Sequence, residues 1–294
     1  MSETSKTVTN ALRALSCFSR STPVLTASEI ARQLKLPRTN VIRLMATLES
    51  LGFVTRRPGD GGFQIGLRAF EIGALYLAAN PLSSLMAKAL DELVERTQCT
   101  AYFAILDRDD IVMLTCREGT LPIRFVWQVG DRLPCHTTAM GKAILSYFSA
   151  EEIDARLGKG KKLRALTKNS IRTRDKLDRD LEEARKRGWG LAREESHAGL
   201  TAVGSAVVNG DGYPIAAISI SYFDYPPDPK RMERLASIVQ SVARGVSDRI
   251  AEYGSYGAGI SQHDLRRVPA QSAGGKPLVP RSSAERGARR TLGR

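Results

Sequence analysis

Between Pro37 and Ile65 the chain reads PRTNVIRLMATLESLGFVTRRPGDGGFQI. Val41, Leu44, Met45, Leu48 and Leu51 recur at helical spacing, and the run stops at Gly52, as many helices stop at a glycine. A helix over Arg38–Ser50 follows, with Pro37 at its first turn, where a missing N–H costs nothing. Its opposite side carries Arg38, Thr39, Asn40, Arg43 and Thr47. Behind it, FVTRR at 53–57 and FQI at 63–65 read as short strands around a Pro/Gly-rich turn. Such a segment must bury one helix face and leave the other to solvent or a polar partner.

The residues upstream supply the apolar partner. Val8, Leu12, Leu15 and Phe18 keep helical spacing over 7–19. TASEIARQL opens with Thr26 and places Glu29 three residues on, a capping box. Ile30, Ala31 and Leu34 form its stripe, and Lys35-Leu36-Pro37 makes a tight turn. Helix, helix, tight turn, helix and glycine-rich hairpin is the order of a winged helix-turn-helix.

Charge agrees with a polyanion partner. The chain of 294 residues has a net charge of +13, and that charge sits at its ends. Residues 1–66 hold nine Lys/Arg against four Asp/Glu, and 255–294 hold eight against two. The span 67–254 is nearly balanced, with 27 against 25. A basic end suits nucleic acid, although solubility charge has the same composition. No apolar run is long enough to span a membrane, and MSETSKTVTN carries no apolar signal core, so a cytoplasmic protein without membrane contact is expected. Cys17, Cys99, Cys116 and Cys135 are scattered, as expected of free thiols; no metal or cofactor motif is present.

Downstream, LRAFEIGALYLAAN at 67–80 reads as an apolar connecting helix that needs a partner, such as a second copy of the chain. A helix over Leu82–Thr97 is followed by strands at 100–106, 111–117 and 123–127. Helices are expected at 150–157, capped by Ser149 and Glu152, and at 173–187. WGLAREE, LTAVGSAVV and YPIAAISISYF read as three strands, the last two joined by the turn Asn209-Gly210-Asp211-Gly212. A long helix over 228–253 closes an α+β domain with a mostly antiparallel sheet. Beyond it, 255–294 reads as a disordered basic tail.

Four stretches, in order, identify a family. PRTNVIRLMATLESLGFVTR, GFQIGLRAFEIGALYL, VGDRLPCHTTAMGKAIL and EESHAGLTAVGSAVVNGDGYPIAAISIS resemble the IclR family of bacterial transcriptional regulators over about residues 7–252. The resemblance implies a winged helix-turn-helix domain at 1–66, a linker helix at 67–80 and a GAF-like effector-binding domain at 81–254, with the tail at 255–294. It implies a homodimer or a dimer of dimers on a double-stranded DNA operator. Members commonly carry proline where Ala198 and Ala206 stand, and a polar or sulfur side chain where Ala202 stands.

On this reading Arg38, Thr39, Asn40 and Arg43 face the major groove. Thr39 and Thr47 donate to phosphates, and Arg56 and Arg57 act from the wing. VGDRLPCHTTAMGKAIL, residues 129–145, then becomes a pocket. A helix beginning near His136 or Thr137 leaves amides free to take a carboxylate. Thr137 and Thr138 add hydroxyls, and Ala139 permits close approach. The resemblance places Ser219, Ser221 and Ala202 opposite, with Leu133, Met140 and Leu200 as walls and Phe125 adding another. The expected effector is a small organic carboxylic acid, aromatic acids included. Lys142 and Glu194 read as structural or rim charges.

Other uses of this stretch stand less well. Met140-Gly141-Lys142 lacks the phosphate-loop pattern. Cys135 beside His136 makes a cysteine hydrolase conceivable, though nothing in the sequence brings a third group to them. An enzyme with a DNA-binding accessory domain, or a DNA-binding protein whose sensor takes no ligand, stays open; turnover of a bound acid would mark the first.

Overall fold

The computed structural model describes residues 5–59, 61–78, 82–122 and 125–252. The expected tail at 255–294 and His263 lie outside the described residues. The chain divides after Ala79 into two compact units.

In the first unit, α1 (Lys6–Leu15), α2 (Ala27–Leu34) and α3 (Arg38–Ser50) pack around Ala14, Ile30, Leu34, Val41, Met45 and Leu48. Both oxygens of the Thr26–Glu29 capping box are in place at the start of α2. Lys35 turns the chain in the left-handed region, at φ 55°, and Pro37 is the N-cap of α3. Strands β1 (Val54–Arg56) and β2 (Phe63–Ile65) pair antiparallel as the wing, with Val54 opposite Ile65, and Leu25 bridges to Phe63. Then follows α4 (Leu67–Ala78).

Two expectations about apolar faces change. In α1 the alanine side faces inward, so Val8 and Leu12 are 57% and 59% exposed. Ala14 lets α1 lie close to its neighbours, and that proximity turns the larger residues outward. The helix also ends at Leu15 rather than near residue 19. In α3, Leu51 lies beyond the last turn and is 59% exposed.

The second unit is one antiparallel sheet in the order β5-β4-β3-β8-β7-β6. The strands are β3 (Thr100–Asp107), β4 (Asp110–Arg117), β5 (Arg132–Pro134), β6 (Gly190–Arg193), β7 (Leu200–Val208) and β8 (Pro214–Phe223). On one face α5 (Leu82–Thr97) and α9 (Pro229–Glu252) bury Leu90, Leu93, Leu235 and Val239 against Phe103, Val203 and Ile218. On the other, α6 (Ala139–Leu145), α7 (Ala150–Leu157) and α8 (Arg174–Arg187) cover Tyr102, Ala104 and Leu106. Neighbours on β3 thus feed opposite cores, as the two-residue strand period requires. Asn209 Oδ1 accepts from the Asp211 and Tyr213 amides and closes the β7–β8 hairpin.

Of the expected strand at 123–127, Ile123 and Arg124 lie outside the described residues, and Phe125 to Trp127 carry no strand. A side chain ties this part instead, because the Tyr102 hydroxyl bonds the Phe125 carbonyl and the Trp127 amide. The expected helix start at His136 or Thr137 also shifts. Cys135–Thr137 is a 3-10 turn, and α6 starts after Thr138.

Candidate functional site

On α3, Arg38, Thr39, Asn40, Arg43 and Thr47 are all exposed, while Val41, Met45 and Leu48 hold the core. A reading helix needs this division, because its base-contacting side chains must leave the surface while its backbone stays fixed. Thr47 and Arg56 are not idle surface groups. The Thr47 hydroxyl donates back to the Arg43 carbonyl at 3.1 Å. Arg56 pairs with Glu49 at 3.3 Å and lies over the Phe63 ring, 4.6 Å from its centroid. Arg57 is exposed at the end of the wing.

In the second unit α6 is pinned at its start. A Cβ on Gly190 would fall 2.1 Å from the Ala139 carbonyl oxygen, and one on Gly204 3.0 Å from the Met140 nitrogen. Only glycine permits β6 and β7 to approach this closely. Thr138 caps the helix by accepting from the Gly141 amide at 3.0 Å. The Ala139 and Met140 amides are left without an acceptor among the described residues, as first-turn amides are.

Strand pairing brings the other groups to this point. Tyr102 stands opposite Ser219 across β3 and β8, and Ser221 opposite Ala202 across β8 and β7. A narrow cleft is lined by Tyr102, Met113, Trp127, Leu133, Thr138, Ala139, Met140, Ser196, Leu200, Ala202, Ser219 and Ser221. Among the described residues no charged side chain lines it. The sequence nominated eight of these, namely Leu133, Thr138, Ala139, Met140, Leu200, Ala202, Ser219 and Ser221. The ninth nominee, Thr137, faces elsewhere: it is fully buried and its hydroxyl donates to the Pro134 carbonyl at 2.9 Å. Phe125 stacks behind Trp127, with ring centroids 4.7 Å apart, and on His197 at 4.3 Å. Tyr102, Met113, Trp127 and Ser196 were not nominated; each enters the cleft through strand pairing or a loop that carries no local signal.

Lys142 is no rim charge. It is 1% exposed, and its Nζ meets Glu195 Oε1 at 2.6 Å, Asp180 Oδ2 at 2.7 Å and the Leu191 carbonyl at 2.9 Å. Burial pushes the Glu195 carboxyl up despite this cation. Glu194 accepts from the Gly199 amide at 3.0 Å and shapes the loop before β7.

Cys135 and His136 do not form a nucleophile and base. The thiol is wholly buried, and burial holds it protonated by pushing its pKa up. The His136 imidazole is pushed down to about 4, first by burial and then by Lys142 and Arg164. Its Nε2 bonds the Arg164 carbonyl at 2.9 Å, so that nitrogen carries the proton. Neither residue lines the cleft. None of the four cysteines is in a disulfide. Among the described residues no group of three His, Cys, Asp or Glu could hold a metal, and no helix is long and apolar enough to cross a membrane.

Comparison with known proteins covers both units. Residues 7–58 match the IclR helix-turn-helix domain, and 74–248 match the bacterial transcriptional regulator IclR C-terminal domain. The acetate operon repressor of Salmonella typhimurium is 30% identical over 244 residues, covering 82% of this chain and 89% of that protein. The Thermotoga maritima IclR crystal structure aligns with a TM-score of 0.65 at 27% identity, over 83% of this chain and 98% of that one. An IclR homologue from Microbacterium hydrocarbonoxydans, crystallised with 4-hydroxybenzoate, aligns with a TM-score of 0.71 at 21% identity, over 83% and 99%. With both units matched by the family and a relative 30% identical over most of both chains, the chain belongs to the IclR family: it is a ligand-responsive, DNA-binding transcriptional regulator.

Proposed function

We propose that the chain is a homodimeric regulator that acts in the cytoplasm and senses a small organic acid, with a one-ring aromatic carboxylate as the leading class. The reading rests above all on one observation: among the described residues the cleft gathers hydrogen-bond donors and apolar walls but no charged side chain. The Ala139 and Met140 amides and the Ser219 and Ser221 hydroxyls take the carboxylate by charge-assisted bonds. Because α6 has only seven residues, these bonds carry the attraction and the helix dipole adds little. Leu133, Met140, Leu200 and Met113 pack the body of the acid, and Ala202 leaves room for it. The 4-hydroxybenzoate held by the Microbacterium homologue supplies the first probe.

Arg38, Asn40 and Arg43 read bases or nearby phosphates, Thr39 contacts backbone, and Arg57 works from the wing. Pairing runs through α4, whose Leu67, Phe70 and Leu75 are 68%, 70% and 65% exposed, with Val8 and Leu12 of α1 adding to the apolar surface. Two-fold pairing implies a roughly palindromic operator. The acid acts only as far as it binds one arrangement of the dimer better than another. Calorimetry with 4-hydroxybenzoate and related acids tests the cleft, and footprinting with and without them tests the coupling. Tight binding left untouched by both Ser219→Ala and Ser221→Ala would remove the carboxylate from this place.

A further inference from the structure

Tyr102 is 1% exposed, and its hydroxyl has no bonding capacity left. It donates to the Phe125 carbonyl at 2.8 Å. It accepts from the Trp127 amide and from the Ser221 hydroxyl, both at 3.4 Å. One O–H and two lone pairs are thereby used. The segment it holds runs outside the sheet, and among the described residues the Trp127 amide has no backbone acceptor. Trp127 nevertheless lines the cleft; it packs against the core that holds Met113, Leu133 and Met140, and the edge-on Phe125 ring and, beyond that, His197 stand beside it.

We propose that Tyr102 is the positioning residue of the cleft: its hydroxyl fixes Trp127 as the outer wall and so sets the width of ligand admitted. The width limit rests on the cleft being the effector site; the fixing of Trp127 does not. An oxygen saturated by the protein is a poor ligand partner, so Tyr102 acts through Trp127 rather than on the acid. The Ser221 hydroxyl stands between the two roles. When it turns to a carboxylate it gives up only a long bond to Tyr102, and the shorter bond to Phe125 persists.

The test compares Tyr102→Phe, which keeps the ring, with His197→Ala, which removes the outer stack and keeps the hydroxyl. Both are made in a Trp189→Phe background, so that Trp127 is the sole tryptophan and is excited selectively over the tyrosines. Far-UV circular dichroism confirms that each variant is folded. In Tyr102→Phe the emission of Trp127 shifts to the red and acrylamide quenches it more strongly; in His197→Ala the change is smaller. The affinity ratio of 2-naphthoate to 4-hydroxybenzoate rises about threefold to tenfold in Tyr102→Phe, the size of one lost neutral hydrogen bond. In the unsubstituted chain the Trp127 amide is protected from hydrogen exchange. Parental shielding of Trp127 in Tyr102→Phe, with exposure in His197→Ala, would assign the wall to stacking and overturn the proposal, as would an unprotected Trp127 amide. Loosened shielding with neither acid bound by the parent would end the effector reading yet uphold the positioning role.

Discussion

The two units place their working groups on opposite sides of their cores. In the first, Arg38, Thr39, Asn40 and Arg43 stand outside a core of Ile30, Val41, Met45 and Leu48 that does not depend on them. In the second, the cleft is cut from the core itself. Every residue of α6 is buried, Ser219 and Ser221 are 2% and 5% exposed, and Lys142 lies beneath the helix start that it shares with the cleft. A surface reader can change its specificity one side chain at a time with little effect on folding. A cleft built from core cannot, because each of its groups also holds the sheet, α6 or the loop before β7.

The largest effect that follows is at Lys142. Removing the cation by Lys142→Met leaves Glu195 and Asp180 partly or wholly buried without it. The expected loss is about 3–5 kcal/mol, the range for breaking a buried ion pair from one side. Urea unfolding measures it. A loss under about 1 kcal/mol would show that the carboxylates find water or protons easily, and the contrast between the units would weaken. Adding Glu195→Gln to Lys142→Met should recover part of the loss, since one stranded charge is then gone.

Arg43 gives the opposite outcome in the other unit. Its side chain is exposed and anchors nothing in the core. Arg43→Ala should leave the unfolding midpoint within about 0.5 kcal/mol of the parent. It should cost about 1–3 kcal/mol of operator binding if the guanidinium is bidentate to a base. Gel-shift titration at fixed salt reads the second quantity. Unchanged affinity and unchanged site preference would strike Arg43 from the contacts. Arg56→Ala makes an instructive companion, because the Glu49 pair and the Phe63 ring already occupy that side chain.

The same contrast explains what the sequence could tell. The reading unit was legible because its signals are local: the α2 capping box, the α3 stripe and the glycine wing all lie within 40 residues of one another. The segments of the cleft were also legible, through the resemblance over 129–145 and 194–221. Its remaining lining was not. Tyr102 meets Ser219 only through the β3–β8 pairing, more than a hundred residues apart in the chain. Phe125 to Trp127 looks like a strand by its β-branched and aromatic residues, but a side-chain hydroxyl takes the bonds a ladder would need. A lysine two residues after Met140 reads as a structural or a rim charge, with nothing local to decide between them. Its burial depends on α8 and on the loop after β6, about 40–50 residues further on.

The smallest effect concerns pH, and it also separates the units. Unfolded, His136 takes up its proton near the ordinary value of 6.5; folded, burial pushes that event down to about 4. Between the two values the unfolded chain binds the extra proton, so stability falls as the pH drops from 6.5 toward 4. At pH 5.5 the loss is about 1 kcal/mol, since one pKa unit corresponds to about 1.4 kcal/mol. Lys142 and Arg164 deepen the shift, while Asp109 and the Arg164 carbonyl oppose it. Glu195 works the other way, because burial raises its folded value and acid therefore favours the native state at that site. His136→Gln isolates the histidine. Urea unfolding of the parent at pH 7.5 and 5.5 should show a larger drop than the variant shows. The α3 unit has no histidine, so operator affinity corrected for the folded fraction should lack this step. Equal drops in parent and variant would mean that the imidazole is reached by water in the native state, and that the turn before α6 is looser than its burial indicates.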